Sequence, residues 1–187
     1  SGMDAPHYAL GNMALKSGIK IEHVSASDSS RTARDFLRAN YGIERISNSF
    51  HEIPNGTFPD DADLYVAGPP CQPNSTAGKR KYDKDPRHTL YGDTTERIVK
   101  AKPKVAILEN YANLSSAQKG KTLRLTHSRL RGAGYEAHSR IINTKDYGLP
   151  EWRNRRWIVA IRSDCAGNAT EKSAWPEEIL PCSLQAF

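Results

Sequence analysis

Short apolar runs recur along the chain, and their length and spacing are typical of buried β-strands. The clearest run lies near the C-terminal end and reads Trp-Ile-Val-Ala-Ile. Turn-forming or strongly polar sequence separates each run from the next. The strands predicted in this way cover residues 20–24, 64–67, 104–108, 135–142 and 157–161.

Between these runs the apolar residues are spaced as on one face of a helix. A first helix is predicted to begin at Asp28 and to end at Gly42, with Leu37 and Asn40 among the residues of its inward face. Helices are also predicted from a capping pattern at Asp93 and over residues 122–131. Strands that alternate with helices of this length predict an α/β fold with a doubly wound, largely parallel sheet.

Composition narrows the class of protein only a little. The chain has 187 residues, of which 37% are hydrophobic, and this is enough for one domain with a packed core. Its formal net charge of +6 suits a polyanionic partner, although many basic proteins have none. No apolar run approaches the ~20 residues that cross a bilayer, so no membrane association is expected.

The three cysteines, Cys71, Cys165 and Cys182, are odd in number and far apart. No Cys-x-x-Cys pair is present, so the sequence predicts neither a zinc site nor a disulfide framework. A reducing compartment is the expected environment.

Cys71 lies in the most distinctive segment, Gly-Pro-Pro-Cys-Gln-Pro at residues 68–73, directly after a predicted strand. Three prolines stiffen this segment, and a stiff loop at a strand exit is a good position for a nucleophile. The alternative is a buried structural thiol. Two later segments bear on the choice, namely Glu109-Asn110 after one predicted strand and Trp-Arg-Asn-Arg-Arg-Trp at residues 152–157 before another.

In this order the three segments resemble the DNA (cytosine-5) methyltransferase family. The resemblance runs from about residue 2 to about residue 162 and implies the Rossmann-like fold of S-adenosylmethionine-dependent methyltransferases. It implies that the Cys71 thiolate attacks carbon 6 of a flipped cytosine, so that carbon 5 can accept a methyl group. Glu109, expected to be buried, would protonate ring nitrogen 3, and Arg155 or Arg153 would stabilise charge on the carbonyl oxygen.

The same resemblance implies a site for S-adenosylmethionine. Residues 1–6 resemble the second half of the family's glycine-containing first motif, and Asp28 matches the acidic position that binds the ribose hydroxyls. Residues 88–91 resemble a segment that packs near the cofactor. The implied cofactor-binding residues are Gly2, Met3, Asp4, Asp28, Pro70 and Leu90.

Double-stranded DNA containing the target cytosine is the partner that the resemblance implies. The loop from residue 74 to 88 is rich in Lys and Arg and is expected to close on the DNA. The implied substrate-binding residues are Gln72, Asn110, Lys79 and Arg80. No metal ion is expected, the oligomeric state is left open, and the expected location is the nucleus in a eukaryote or the nucleoid and cytoplasm otherwise.

Residues 1–162 are predicted to form the catalytic domain, and residues 163–187 a linker towards a target-recognition region. The start of the first motif and that region are not recognised, so the chain is expected to be a fragment that is inactive alone. Two alternatives remain open. One is a transfer RNA cytosine-5 methyltransferase of the same family, and the other is a non-catalytic fragment that only binds nucleic acid. Each candidate segment also has an interpretation without a catalytic role. Glu109-Asn110 could cap a following turn, and the arginines could form a solvated face.

Overall fold

A computed structural model describes residues 4–48, 62–69, 87–112, 120–168 and 175–179. These residues form two units, Ser1–Ala62 and Asp63–Phe187, and each unit has its own strands. The described elements of the first unit are helix α1 (Ala5–Ser17), strand β1 (Ala26–Ser27), helix α2 (Arg31–Tyr41) and strand β2 (Ile46–Ser47).

The first unit is held together by a small apolar cluster. Strands β1 and β2 pair in parallel, with Ala26 opposite Ile46. Leu37 of α2 is completely buried in a cluster with Ala26 and Ile43. The Ser30 side chain accepts a hydrogen bond from the backbone N–H of Ala33, which explains why α2 begins where it does.

Two expectations for the first unit were wrong in detail, and one of its helices was not predicted. The strand predicted at residues 20–24 is replaced by β1, because only Ala26 and Ser27 pair with β2. Asn40 is exposed rather than inward, and its amide donates to the Phe36 carbonyl. Helix α1 was not predicted, since none of its residues is buried and its apolar residues mark no face.

The second unit contains a four-stranded sheet and two helices. Its sheet has the strand order β3-β4-β6-β5, where β3 is Leu64–Ala67, β4 is Val105–Tyr111, β5 is Tyr135–Asn143 and β6 is Asn154–Arg162. Helix α3 (Arg87–Ala101) precedes β4, and helix α4 (Lys121–Gly132) connects β4 to β5. Helix α3 thus begins six residues before the predicted start at Asp93, whose capping pattern lies inside the helix.

The α/β class and the largely parallel sheet are both confirmed, because β3, β4 and β5 run in the same direction and β6 is the one reversed strand of these four. Strands β3 and β4 are parallel, but β6 lies antiparallel to both β4 and β5. The connection between β5 and β6 is shorter than the dozen or so residues that a parallel crossover needs, so β6 turns back between its neighbours. In β4, buried residues alternate with half-buried ones, which gives the strand two distinct faces near its end.

The segment 175–179 contacts the end of β5 and the short helix that follows it. Ile179 donates its backbone N–H to the Asp146 carbonyl, and Glu178 lies 2.9 Å from the Arg140 guanidinium. The predicted boundary at residue 162 stays a prediction. None of the helices in the described part of the chain is long and apolar enough to cross a membrane.

Candidate active site

Glu109 and Arg155 meet where β4 and β6 run side by side. The antiparallel register places Glu109 opposite Trp157 and Tyr111 opposite Arg155, so Glu109 and Arg155 are diagonal neighbours on one face. The Arg155 Nε lies 2.8 Å from the Glu109 Oε1. The structure therefore brings together two side chains that the sequence assigned to the same reaction.

The Glu109–Arg155 pair remains accessible. Each side chain keeps 29% of its surface exposed, so the expectation that Glu109 would be buried was wrong. The reason is the alternation along β4, in which Leu108 and Asn110 face the covered side of the sheet and Glu109 faces the other. A carboxylate and a guanidinium in this position can both reach a ligand at the carboxyl end of β4.

Asn110 ties the end of β4 to the exit of β3. Its side chain is only 3% exposed, and its Nδ2 donates to the Pro69 carbonyl over 3.1 Å. Its Oδ1 accepts from the Tyr111 backbone N–H over 2.9 Å. Both ends of the buried amide are therefore satisfied within the chain. The contact fixes Pro69, which lies two residues before Cys71.

The backbone of Gly68 passes close to the Glu109 carboxylate. A Cβ atom at this position would lie 3.4 Å from the Glu109 Oε2, which is van der Waals contact. Strand β3, which precedes the predicted nucleophile Cys71 in sequence, is therefore followed by a backbone segment close to Glu109, the predicted proton donor. Several predicted site residues lie outside the described residues, namely Gly2, Met3, Pro70, Cys71, Gln72, Lys79 and Arg80.

Arg153 occupies a different position from Arg155. It precedes β6, its side chain is 48% exposed, and its Nη1 lies 3.8 Å from the Glu151 Oε1. Its backbone N–H donates to the Asn143 Oδ1 over 3.2 Å. Of the two arginines that the sequence offered for the same role, the structure places Arg155 against Glu109.

Sequence reasoning missed two polar residues on the covered side of the sheet, Tyr91 and Arg156. Tyr91 in α3 is buried, and burial raises the pKa of its hydroxyl well above the ordinary value. Arg156 lies opposite Asn110 in the β4–β6 register, and burial lowers the pKa of its guanidinium. Arg156 could have been found from the sequence, because Arg155 and Arg156 are adjacent in one strand and must therefore point to opposite faces.

Asp28 follows β1 in a hydrogen-bonded turn. Its Oδ1 accepts from the Ser30 backbone N–H over 2.8 Å, and its own N–H donates to the Ser47 carbonyl over 3.1 Å. The carboxylate is half-buried at the end of a strand of a parallel pair. An acceptor of this kind fits the two hydroxyl donors of a ribose. The side chain of Leu90, in α3, is not described.

Asp4 caps α1 in a left-handed conformation, with φ at 56°, and is 7% exposed. Its Oδ2 lies 3.5 Å from the His23 Nδ1, and the same His23 nitrogen lies 3.0 Å from the His7 Nδ1. Burial lowers the pKa of His23, and Asp4 opposes this shift. Cofactor binding by Asp4 stays a prediction. Among the described residues, no group of His, Cys, Asp or Glu side chains is arranged to hold a metal ion.

A family model described as C-5 cytosine-specific DNA methylase matches residues 7–183. The chain belongs to this family. It is 32% identical over 143 residues to the type II methyltransferase M.HhaI of Haemophilus parahaemolyticus, which covers 76% of the chain. It is 36% identical over 137 residues to M.NgoBI of Neisseria gonorrhoeae, which covers 73%. In both cases the chain spans only 43% of the relative's length.

Solved structures show the same fold. A Spodoptera frugiperda DNMT2 mutant superposes with a TM-score of 0.68 at 21% identity, covering 98% of this chain and 53% of that one. A DNA modification methyltransferase from an E. coli prophage superposes with a TM-score of 0.69 at 16% identity, covering 86% and 46%. The Rossmann-like methyltransferase fold that the sequence predicted is confirmed by these neighbours.

Proposed function

We propose that the protein transfers a methyl group from S-adenosylmethionine to carbon 5 of cytosine in DNA. The observation that carries the proposal is the Glu109–Arg155 pair, which lies beside Gly68 and next to the Asn110–Pro69 hydrogen bond. This arrangement positions a carboxyl group and a guanidinium at the start of the segment that contains Cys71. Membership of a DNA methylase family supports DNA as the substrate.

In the proposed reaction the Cys71 thiolate attacks carbon 6 of the cytosine. The electron pair of the 5,6 double bond becomes available at carbon 5, which is otherwise a poor nucleophile. S-adenosylmethionine, when bound, supplies the electrophilic methyl group. A water molecule or another base then accepts the carbon 5 proton, the electrons of that C–H bond re-form the 5,6 double bond, and the thiolate leaves carbon 6. The base must leave the stack to reach Cys71, at a cost of a few kcal/mol.

The Glu109–Arg155 pair matches two neighbouring positions of the base. Ring nitrogen 3 is bonded to carbon 2, which carries the carbonyl oxygen. Charge develops at both the nitrogen and this oxygen when a thiolate adds to carbon 6. Glu109 would donate a proton or a strong hydrogen bond to nitrogen 3, and Arg155 would bind the oxygen. A carboxyl oxygen and a guanidinium nitrogen 2.8 Å apart are close enough to act on one base.

Asn110 acts in this proposal by holding Pro69. Its amide is buried and engaged by Pro69 and Tyr111, and direct contact with the base stays a prediction. Lys79, Arg80 and Gln72 are proposed to contact the DNA. Asp28 is proposed to hold the ribose of S-adenosylmethionine, because its half-buried carboxylate offers acceptors for both hydroxyls.

The test measures 5-methylcytosine in nucleic acid treated with the full-length protein and labelled S-adenosylmethionine. A cytosine-rich DNA duplex and transfer RNA are supplied separately, and the nucleosides are then identified by mass spectrometry. We expect 5-methylcytosine in the duplex. The modified base in transfer RNA alone would establish the alternative substrate, and a complete lack of transfer to either would contradict the proposed activity.

A further inference from the structure

One side of α4 forms a cationic groove that the proposed reaction does not use. Its lining residues recur along a single helical face, and its volume is about 540 Å³. The side chains that line this space belong to two arginines, a histidine, a serine and a leucine. The residues of this α4 groove are Leu123, Arg124, His127, Ser128 and Arg131.

The groove has no acidic lining residue in the part of the chain that the structure describes. His127 is close to other basic side chains, and its pKa is lowered mainly by burial and further by Arg131, His138 and Arg156. A backbone hydrogen bond with Ala137 opposes these effects. Positive charges that gather around one cavity repel each other, and an anion in the groove would relieve this repulsion.

Arg156 of β6 is a half-buried arginine near the groove. It lies close enough to His127 to affect its pKa, and it pairs in register with Asn110. Its Nε is buried and has no hydrogen-bond partner among the described residues. A buried guanidinium N–H without an acceptor is unfavourable.

We propose that the α4 groove binds the sugar–phosphate backbone of the DNA substrate. This proposal rests on the proposed function for the identity of the polyanion. Arg124 and Arg131 are seven positions apart, or about 10 Å along the helix axis, and they can contact nearby phosphates on one strand. Such contacts position DNA without reading its sequence.

The charge distribution of α4 favours this partner. The helix carries Lys121, Arg124, His127, Arg129 and Arg131 and has no acidic residue. Guanidiniums bind phosphates in a planar, two-pronged geometry, and the Ser128 hydroxyl can donate a further hydrogen bond. An acidic protein surface is the other polyanion that could bind here, and its binding is an outcome of the test.

The test compares two doubly substituted forms of the full-length protein with the unaltered protein. Arg124→Gln with Arg131→Gln removes two charges from the groove. Lys121→Gln with Arg129→Gln removes two charges from the same helix outside the groove, since Arg129 points towards Gly92. Binding to a fluorescent DNA duplex is followed by anisotropy between about 50 and 200 mM salt.

We expect the groove variant to lose at least tenfold in affinity for duplexes with and without a target cytosine. The slope of log affinity against log salt should fall by about 1–2, because each phosphate contact contributes about 0.9. The matched control should keep most of its slope. Circular dichroism verifies the fold, and Arg124→Glu repeats the test without disturbing the bond from Arg131 to the Ala137 carbonyl.

Equal losses in both double variants would overturn the proposal, because net charge rather than the groove would then govern binding. An unchanged slope in the groove variant, with normal methylation of DNA by the unaltered protein, would overturn the groove alone and favour an acidic protein partner. Lack of any DNA binding by the unaltered protein would contradict the proposed function as well, so the two failures are distinguishable.

Discussion

The Asn110 side chain donates a hydrogen bond of 3.1 Å to the Pro69 carbonyl, although 41 residues separate the two in sequence. This contact joins the Glu-Asn end of β4 to the segment that leads into Cys71. Since Asn110 is buried, the bond is shielded from water and holds its geometry well. Together with the pairing of β3 and β4, this amide therefore fixes Pro69 relative to the end of β4.

Substitution of Asn110 tests this dependence. Asn110→Asp keeps an oxygen acceptor for the Tyr111 N–H but loses the donor to Pro69. We expect kcat to fall by roughly tenfold or more, since displacement that costs ~1.4 kcal/mol in the transition state has this effect. Steady-state methyl transfer measures the change. Asn40→Ala, which removes an exposed amide, is the control, and equal kcat values for Asn110→Asp and the unaltered protein would contradict the positioning role.

Glu109→Gln separates proton donation from hydrogen bonding. The amide can still bind the base but cannot protonate nitrogen 3, so we expect the methyl-transfer rate to fall by about 10²–10⁴ but not to zero. The loss of the partly exposed pair with Arg155 should cost no more than ~1 kcal/mol in unfolding free energy.

Single-turnover rates and urea unfolding measure these two effects of Glu109→Gln separately. Glu96→Gln is the matched control, because Glu96 is exposed and paired with Lys100 within α3. An unaltered rate in Glu109→Gln would show that this carboxyl group has only a structural role.

Asp28→Asn tests the cofactor site without removing the turn, because the amide oxygen can still accept from the Ser30 N–H. Charge-assisted bonds to the ribose hydroxyls are typically worth ~1.5–3 kcal/mol. We therefore expect S-adenosylmethionine to bind at least tenfold more weakly, as measured by calorimetry. Asp35→Asn, on the exposed side of α2, should bind normally. Equal affinity in Asp28→Asn would exclude Asp28 from the ribose site.

Stability should depend on pH through His23. Burial and His7 lower its pKa in the folded protein, and Asp4 and the Ser25 carbonyl only partly oppose this. The unfolded chain then takes up a proton first as the pH falls, so the free energy of unfolding should decrease below about pH 6.5 and level off once the folded form is also protonated.

Urea unfolding between about pH 7.5 and 5 measures this dependence. The free energy of unfolding should depend less steeply on pH in His23→Gln than in the unaltered protein. The control His138→Gln, on β5, should keep the contribution from His23. A His23→Gln protein whose stability varies with pH as steeply as that of the unaltered protein would contradict the assignment.

Much of the second unit could be predicted from sequence because its signals are local. The strands at residues 64–67 and 135–142 and the helix at 122–131 all occur within a residue of the observed bounds. Helix α1 could not be predicted, because it buries no residue and so has no apolar face to mark it. The antiparallel placement of β6 depends on sheet pairing with β4, which no local pattern specifies.

In the candidate site, too, some features follow from local sequence and others depend on how distant segments pair. The sequence assigned Glu109 and Arg155 to one proposed reaction, but their contact depends on a two-residue diagonal offset in the β4–β6 register. The choice of Arg155 over Arg153 likewise came from geometry. The proximity of His7 to His23 joins a helix to a distant loop, and neither sequence segment indicates it alone.

The covalent bond between Cys71 and cytosine is the central claim, and a DNA duplex with 5-fluorocytosine at the target position tests it most directly. Fluorine cannot leave as the carbon 5 proton does, so the adduct persists and survives denaturation. We expect a denaturant-resistant protein–DNA complex from the unaltered protein and from Cys165→Ser, whose cysteine is exposed. Cys71→Ser should give none, because an alcohol ionises far less than a thiol. A trapped complex from Cys71→Ser would contradict the mechanism.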